Sequence, residues 1–415
     1  MNSAKYLLIG SSHAALEALR AIRQADPDGS AAMVTRDGHL PYSPTILPYV
    51  VSGRSKADRV ALRDKAFFEA NACTFVPGAA AEALDAAAHT VTLSSGQKWR
   101  YEKLLVATGA APAIPPVPGL DKVAFHVLRS LDDAMSLRQA MGGARRAVVL
   151  GAGLVGLHAA ENLAEAGMSV SVVEMQGQVL PGYFDTKASR RIEDAFAAHG
   201  VRLFLGRRVV GVESQDAAGC AVALDDGRTL EADLLLVAAG VRPAVDWLKG
   251  SGVEVARGVV VDDMMRTSAA DVWAAGDVAE AKDFHTGQPA LIGIIPTAVD
   301  QGRIAGMDMA GDSYVRPYAG GVAVNTYRFF GRVALSIGRA SATEGVEVAE
   351  AEGQGYRRVV LSDNRLVGYA SVDEPFDVGI MGELIRRKVD LSSVRDAFLA
   401  RPLETGRRLM SESWR

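Results

Sequence analysis

Cysteine is nearly absent from this chain of 415 residues: there are two, Cys73 and Cys220, far apart and in unrelated contexts. That excludes a disulfide framework, a CxxC redox pair and a cysteine-built metal site. No apolar run approaches the roughly 18 residues of a membrane span. An excess of one charge is also missing, since 45 basic and 49 acidic residues leave a formal −4. Nothing therefore points to nucleic acid or to an anionic membrane surface. Nor does a signal peptide fit, because Tyr6–Gly10 already reads as a strand and one lysine precedes it. A soluble, cytoplasmic protein is the expectation.

What is present is length and glycine. The chain exceeds one ordinary core, so two or three domains are expected. Its 42 glycines suit tight turns facing phosphates. The most informative stretch runs from Arg146 to Glu174. An apolar run ending in Val148, Val149 and Leu150 reads as a buried parallel strand, and Gly151, Gly153 and Gly156 follow in GxGxxG spacing. A helical pattern through Leu154 and Val155 reaches Gly167, and a second strand ends on Glu174. Gly151 permits the tight turn, Gly153 lets backbone approach a pyrophosphate, and Gly156 lets helix and strand pack closely. The helix N-terminus favours the phosphate charge, and Glu174 suits a ribose hydroxyl. Met175, Gln176 and Gly177 offer no cation for a 2′-phosphate, which favours NAD over NADP.

A weaker copy opens the chain. The strand Lys5–Gly10 precedes a helical pattern with Leu16, Leu19 and Ile22 on one face. Gly10, Ser12 and Ala15 take the three glycine positions, with His13 and Ala14 between. The next strand, Ala31–Thr35, ends on Thr35-Arg36-Asp37, leaving ribose recognition to Asp37 or to backbone and Arg36 free to lie over an adenine. His39–Gly53 holds three prolines and reads as a rigid loop entering a short helix. Helices are expected over Val60–Asn71, Val127–Met141 and Lys187–His199, and from Pro296-Thr297 to Gly311. Beyond Gly320, Phe329–Gly338, Tyr356–Leu361 and Leu366–Val372 alternate like antiparallel strands, and Phe376–Val389 and Ser392–Leu399 read as helices. Two fingerprints in one chain imply two dinucleotides that meet, most commonly a flavin and a nicotinamide.

The motifs Gly10-x-Ser12-x-x-Ala15, Ala107-Thr108-Gly109, Gly151-x-Gly153-x-x-Gly156, Gly240-x-Arg242-Pro243 and Ala275-Gly276-Asp277, in this order, resemble the pyridine nucleotide-disulfide oxidoreductase superfamily. The ferredoxin-reductase-like and NADH-oxidase-like branches are the most similar. The resemblance implies an α/β fold: two Rossmann-like three-layer dinucleotide-binding domains plus a small α+β C-terminal interface domain. It implies an FAD domain from 1–112 and 245–318, an NAD domain at 113–244 and the interface domain at 319–415. Asp277 would accept from the FAD ribityl chain or cap the following turn. Thr108 and Gly109 would line the FAD pyrophosphate. The helix begun by Pro296 and Thr297 would face the flavin with its positive end. Pro41, Pro44 and Ile46–Pro48 resemble the segment against the isoalloxazine ring. Arg129 matches a position on the flavin side of the domain junction, or makes a helix-start ion pair. Gly240 belongs to the NAD side.

Departures from the family pattern are equally informative. Disulfide- and peroxide-reducing members carry a redox cysteine where Ser43–Gly53 has none. His158 replaces a glutamate common on the NAD helix; it either tunes hydride transfer or is satisfied by a carbonyl. His13 either donates toward the FAD phosphates or faces solvent. Without a redox thiol the flavin needs an outside partner, most simply an iron–sulfur protein or subunit. The loop and tail resemble the NAD-coupling flavoprotein subunits of anaerobic complexes such as phenylglyoxylate dehydrogenase and tungsten-dependent aldehyde oxidoreductases. A stand-alone NADH oxidase, a ferredoxin or rubredoxin reductase, and a non-catalytic dinucleotide-binding subunit are the alternatives. The C-terminal domain would dock a second copy or a partner subunit.

Overall fold

In the computed structural model, which describes residues 1–215 and 219–412, the strand Asn2–Ile9 lies between Ala31–Val34 and Lys98–Val106, all parallel. Cys73–Val76 extends the sheet beyond Ala31–Val34. The other edge of Lys98–Val106 is divided. Its start pairs with the antiparallel ribbon Thr90–Leu93 and Ala81–Asp85, and Leu104–Val106 pairs in parallel with Val272–Ala274. A strand from much later in the chain thus completes the first sheet. Where the sheet is covered on both faces, at Leu7–Ile9, Ala31–Val34 and Leu104–Val106, the sequence is continuously apolar, whereas the first half of Lys98–Val106 alternates exposed and buried.

Helices His13–Ala25 and Ile295–Ala310 pack on this sheet against one another, at a distance only glycine allows. A Cβ added at Gly302 would lie 2.2 Å from the Ala14 carbonyl oxygen, and one at Gly306 2.4 Å from that of Ala18. The second parallel sheet runs Arg202–Leu205, Ser169–Glu174, Arg146–Leu150, Leu234–Val237. It carries helices Leu154–Glu165 and Thr186–Ala198 and the antiparallel layer Val209–Ser214, Cys220–Leu224, Thr229–Ala232. The two crossings between the sheets, Ala110–Pro112 and Val241–Pro243, pair with each other antiparallel.

The C-terminal sheet is antiparallel in the order Val324–Phe329, Arg332–Gly338, Arg365–Val372, Tyr356–Ser362, Glu347–Glu352. Tyr327, Phe329, Ala334, Tyr356 and Val372 on one face share a core with the second parallel sheet and its helices. Leu335, Ile337, Val359 and Tyr369 on the other face pack against Val378–Arg386 and Arg395–Ala400. Phe329 is therefore core.

Several element limits differ from the sequence reading, for local reasons. The helix expected over Val60–Asn71 is confined to Lys65–Ala70, because the Asp64 side chain caps it by accepting from the Phe67 N–H. The helix expected from Val127 begins at Leu131, where Ser130 and Asp133 form a capping box. Phe329–Gly338 is not one strand: the chain turns at Phe330 and Gly331, both at positive φ (+44° and +76°). Strands Val209–Ser214 and Glu347–Glu352 and helix Pro402–Glu412 were not anticipated. The last contains Gly406, which resembles a helix breaker but gives close approach to Ile380, 2.8 Å from a Cβ placed there. Among the described residues no helix is long and apolar enough to cross a membrane.

Candidate functional site: two dinucleotide cradles and their junction

The first cradle lies at the C-terminal edge of the first sheet. Gly10 sits at φ +117°, and a Cβ there would fall 2.0 Å from the Ala107 carbonyl oxygen. Only glycine makes this turn. Ser12 is the extended N-cap of His13–Ala25, and its side chain makes no capping hydrogen bond. The first N–H groups of that helix thus remain available to an anion. Ala14 and Ala15 are buried, and Gly276, at φ +82°, lies against Ala14 with its N–H donating to Gln301 Oε1 at 2.8 Å. Thr297 is buried and Pro296 exposed at the start of Ile295–Ala310. Two helix N-termini and a strand end therefore converge at Gly276-Asp277. Gln301 was not anticipated; a buried amide in an otherwise small, apolar helix face was its only signal.

Arg129 and Asp277, 148 positions apart, meet here: Arg129 Nη2 donates to Asp277 Oδ2 at 2.9 Å, and Nε to the Ala110 carbonyl at 3.0 Å. Gly109, at φ +66°, is within 3.3 Å of this guanidinium when a Cβ is added. Asp277 is therefore tied through Arg129 to the crossing strand Ala110–Pro112, and the Arg129 guanidinium does not make the helix-start ion pair. Thr108 Oγ1 donates to the Ala244 carbonyl at 2.9 Å, joining the two crossings. Ala107 is buried under Gly10.

At the end of Ala31–Val34, Thr35 is buried and Arg36 exposed. The Asp37 carboxylate is held by the Tyr42 hydroxyl and by the His39 N–H. Tyr42 Oη also accepts from the Leu131 N–H at 2.8 Å. Pro41 is buried and Pro44 opens a short 3-10 turn, so this junction fixes the proline-rich loop against the start of helix Leu131–Met141. Tyr42 had given no sign of this role in the sequence. His13 Nε2 lies 3.0 Å from Ser43 Oγ. His13 therefore faces the loop, half-buried, and desolvation lowers its pKa.

The second cradle repeats the plan. Gly151, at φ +107°, would place a Cβ 2.4 Å from the Ala238 carbonyl oxygen, and Gly156 one 2.0 Å from that of Gly151. Gly153 is the extended N-cap of Leu154–Glu165, and a Cβ there would meet nothing within 4 Å. Glu174 accepts from the Ala152 N–H at 2.8 Å and from the Gln176 N–H at 2.9 Å. Around this groove stand exposed apolar side chains, Val155, Met175 and Val241, beside Gly240 at φ +106°. Apolar rims and an open helix N-terminus fit a dinucleotide lying across them. Both cradles thus fit the cofactors: backbone close enough to reach phosphates, with no side chain filling the approach at Gly153.

His158 lies in the same helix, edge-on to Tyr327 at 4.8 Å between ring centroids, with Glu161 at 4.0 Å. It borders a cavity of about 300 Å³ shared with Pro48, Tyr49, Asn162, Arg328 and Phe329. Burial lowers its pKa to about 4, so the imidazole is neutral near pH 7. The unfolded chain takes up this proton near pH 6.5, while the folded chain resists until about 4. Stability is therefore lost as pH falls from 6.5 toward 4. At about 1.4 kcal/mol per pKa unit the loss is ~3 kcal/mol. His158→Gln is expected to flatten a urea-midpoint profile across that window; an unchanged profile would contradict the burial argument. Asn162, also unanticipated, donates to the Pro48 carbonyl at 2.8 Å and so joins this helix to the proline-rich segment.

Both cysteines are free and buried in strands. Burial raises both thiols, Cys73 to about 12, and neither lies in the segment Ser43–Gly53.

Residues 4–302 match the family model described as pyridine nucleotide-disulphide oxidoreductase. The chain belongs to this family, and is an FAD-dependent oxidoreductase of NAD(H). Among curated proteins it is 53% identical to the "NADH-dependent phenylglyoxylate dehydrogenase subunit epsilon" of Aromatoleum evansii, over 99% of this chain and 98% of that one. It is 29% identical to an NADH oxidase of Methanocaldococcus jannaschii over 74% of this chain and 70% of that one. Among solved structures, the ferredoxin reductase for the CYP199A2 system of Rhodopseudomonas palustris matches with a TM-score of 0.81 at 27% identity, covering 89% and 91% of the two chains.

Proposed function

We propose that this chain passes electrons between NAD(H) and an iron–sulfur partner, as the NAD-coupling subunit of a larger complex that oxidises a 2-oxo acid of the phenylglyoxylate kind. The observation that carries this is the pairing of two cofactor cradles with a proline-rich segment, Ser43–Gly53, that contains no thiol. The full-length likeness to a phenylglyoxylate dehydrogenase subunit supports the complex and its substrate class, and the likeness to a ferredoxin reductase supports an iron–sulfur acceptor.

In this reading the FAD unit comprises 1–112 and 245–318, the NAD unit 113–244, and the unit 319–415 meets a partner subunit or a second copy. Bound FAD supplies two-electron exchange with NADH and one-electron exchange with the partner. The side chains and backbone bind, orient and insulate. Gly10, Ser12, His13, Ala14 and Ala15 hold the FAD phosphates against the helix N-terminus, and Thr35 and Arg36 bound its adenosine end. Ala107, Thr108, Gly109, Gly276 and Asp277 line the opposite wall, with the Arg129 guanidinium holding the Asp277 side chain in place. Pro41 and Pro44 would support the ring of bound FAD, and the helix begun by Pro296 and Thr297 would present its positive end to it, an arrangement that favours negative charge there. On the NAD side Gly151, Gly153, Leu154, Val155 and Gly156 take the pyrophosphate, Glu174 the ribose and Gly240 the approach to the nicotinamide. His158 stands as a neutral imidazole at the junction. Packing and backbone position the rings, and no side chain has to move a proton for nicotinamide to reach flavin.

Because no thiol relays electrons, the double variant Cys73→Ala, Cys220→Ala is expected to retain NADH-dependent ferricyanide reduction within about twofold, each substitution costing stability only through the lost sulfur. Loss of that activity in a folded, flavin-bound variant would overturn the thiol-free route.

A further inference from the structure

The cavity beside His158 opens outward into a recess whose rim is unusually cationic. Its walls include Tyr49 and Ser52 from the proline-rich segment, Arg54 just after it, and Arg328, Gly331 and Arg332 from the turn of the C-terminal hairpin. Most of its charges are balanced within the fold. Arg54 pairs with Glu165 at 2.7 Å, Arg332 donates to Asp373 at 2.8 Å, and Glu161 accepts from the Phe330 N–H at 2.6 Å. Arg328 is exposed, and its side chain makes no hydrogen bond or ion pair among the described residues. The same holds for the side chains of Lys56 and Arg59, which follow Arg54 along an exposed turn that has Asp58 as its one acid. The chain as a whole is net negative, so this local excess of cations is not a general property of its surface. Tyr49, 38% exposed, stands among them. An exposed tyrosine ringed by arginines is a composition typical of interface centres.

We propose that this recess is the docking surface for the electron partner, and that the partner presents an acidic face whose carboxylates pair with Arg328, Lys56 and Arg59. The proposal rests on the function proposed above. Charge complementarity selects an acidic protein: unpaired guanidinium and ammonium groups raise the encounter rate of an anionic surface and set its register. Position selects an electron carrier, because the recess is walled by Pro48 and Tyr49 of the segment proposed to support the flavin ring. Docking there sets the partner's cluster close to that segment, along the part of helix Leu154–Glu165 from His158 to Glu165 rather than at its Gly153 end, so NAD(H) and partner need not compete for one opening.

The test compares two acceptors on the flavin-loaded full chain: an acidic plant-type two-iron, two-sulfur ferredoxin and the small neutral acceptor para-benzoquinone. Arg328→Glu, and separately Lys56→Glu, are expected to lower kcat/KM for the ferredoxin about tenfold or more, with quinone reduction kept within about twofold. Ferredoxin reduction by the unaltered chain is expected to fall as salt rises, and that of the variants to depend on salt far less. Salt-sensitive ferredoxin reduction that both variants leave intact would overturn the docking surface alone. Equal losses with both acceptors would also overturn it, since they would place the effect at the flavin. An unaltered chain that reduces quinone but not ferredoxin would overturn both the surface and the iron–sulfur reading.

Discussion

Gly10→Ala is expected to yield a chain that has lost its flavin, whereas Gly151→Ala keeps the flavin but is no longer reduced by NADH. The two substitutions are the same in chemistry and differ only in which cradle they strike. At Gly10 the new Cβ would sit 2.0 Å from the Ala107 carbonyl oxygen, with φ at +117°. Neither side of that contact is a flexible side chain. The backbone itself must move, at the edge where Ile9 and Val106 end side by side. A displaced turn carries the first N–H groups of His13–Ala25 away from the phosphates. A weakening of FAD binding by at least a hundredfold, ~2.7 kcal/mol, is the expected result. At Gly151 the contact is 2.4 Å, to the Ala238 carbonyl, and the same argument gives a similar rise in the NADH concentration needed for reduction. The absorbance ratio of flavin to protein after purification reads the first effect, and anaerobic reduction at graded NADH reads the second. Flavin retained in Gly10→Ala, or normal reduction in Gly151→Ala, would contradict the assignment of the cradles.

A second large effect is expected away from both fingerprints, at Gly302. Helices His13–Ala25 and Ile295–Ala310 touch through Gly302 against Ala14 and Gly306 against Ala18. Gly302→Val inserts a branched side chain where even a Cβ would lie 2.2 Å from a carbonyl oxygen. The helices must separate, which opens the core containing Ala14, Ala18, Leu19, Ile304 and Ala305. Overpacking of this kind costs about 3 kcal/mol or more. It also shifts Gln301 from the Gly276 N–H, so flavin affinity is expected to fall along with the urea midpoint. A variant with unchanged midpoint would show that the crossing tolerates separation.

The sequence made the cradles legible because their chemistry is local. A tight turn, a close backbone approach and an acid at a strand end all lie within about 30 residues of one another, so Gly151, Gly153, Gly156 and Glu174 announce themselves together. Arg129 and Asp277 were legible separately, but their meeting was not, since it depends on a strand from the end of one segment closing a sheet begun by another. Gly302 and Gly306 were silent for the same reason: a glycine in a helix looks like a weakness until the facing backbone is known. Gln301, Tyr42 and Asn162 are single polar residues whose partners lie on other elements, and no spacing rule reveals them. The C-terminal hairpin was misread as one strand because Phe330, a residue that favours strands, occupies a left-handed turn position. It is held there by the Glu161 carboxylate at its N–H and by the ring of His199, stacked at 3.8 Å.

The central claim is an FAD that takes electrons from NADH and surrenders them to an outside acceptor without any second redox centre in the chain. It is tested most directly by anaerobic titration of the flavin-loaded protein with NADH, followed at the flavin band and ended by admitting air or ferricyanide. Complete bleaching at about one equivalent of NADH per flavin, slow recovery in air and fast recovery with ferricyanide are the expected results. A second equivalent consumed before bleaching would reveal another electron store and contradict the inert assignment of Cys73 and Cys220. Immediate recovery in air would instead identify oxygen as the acceptor and make the chain an oxidase.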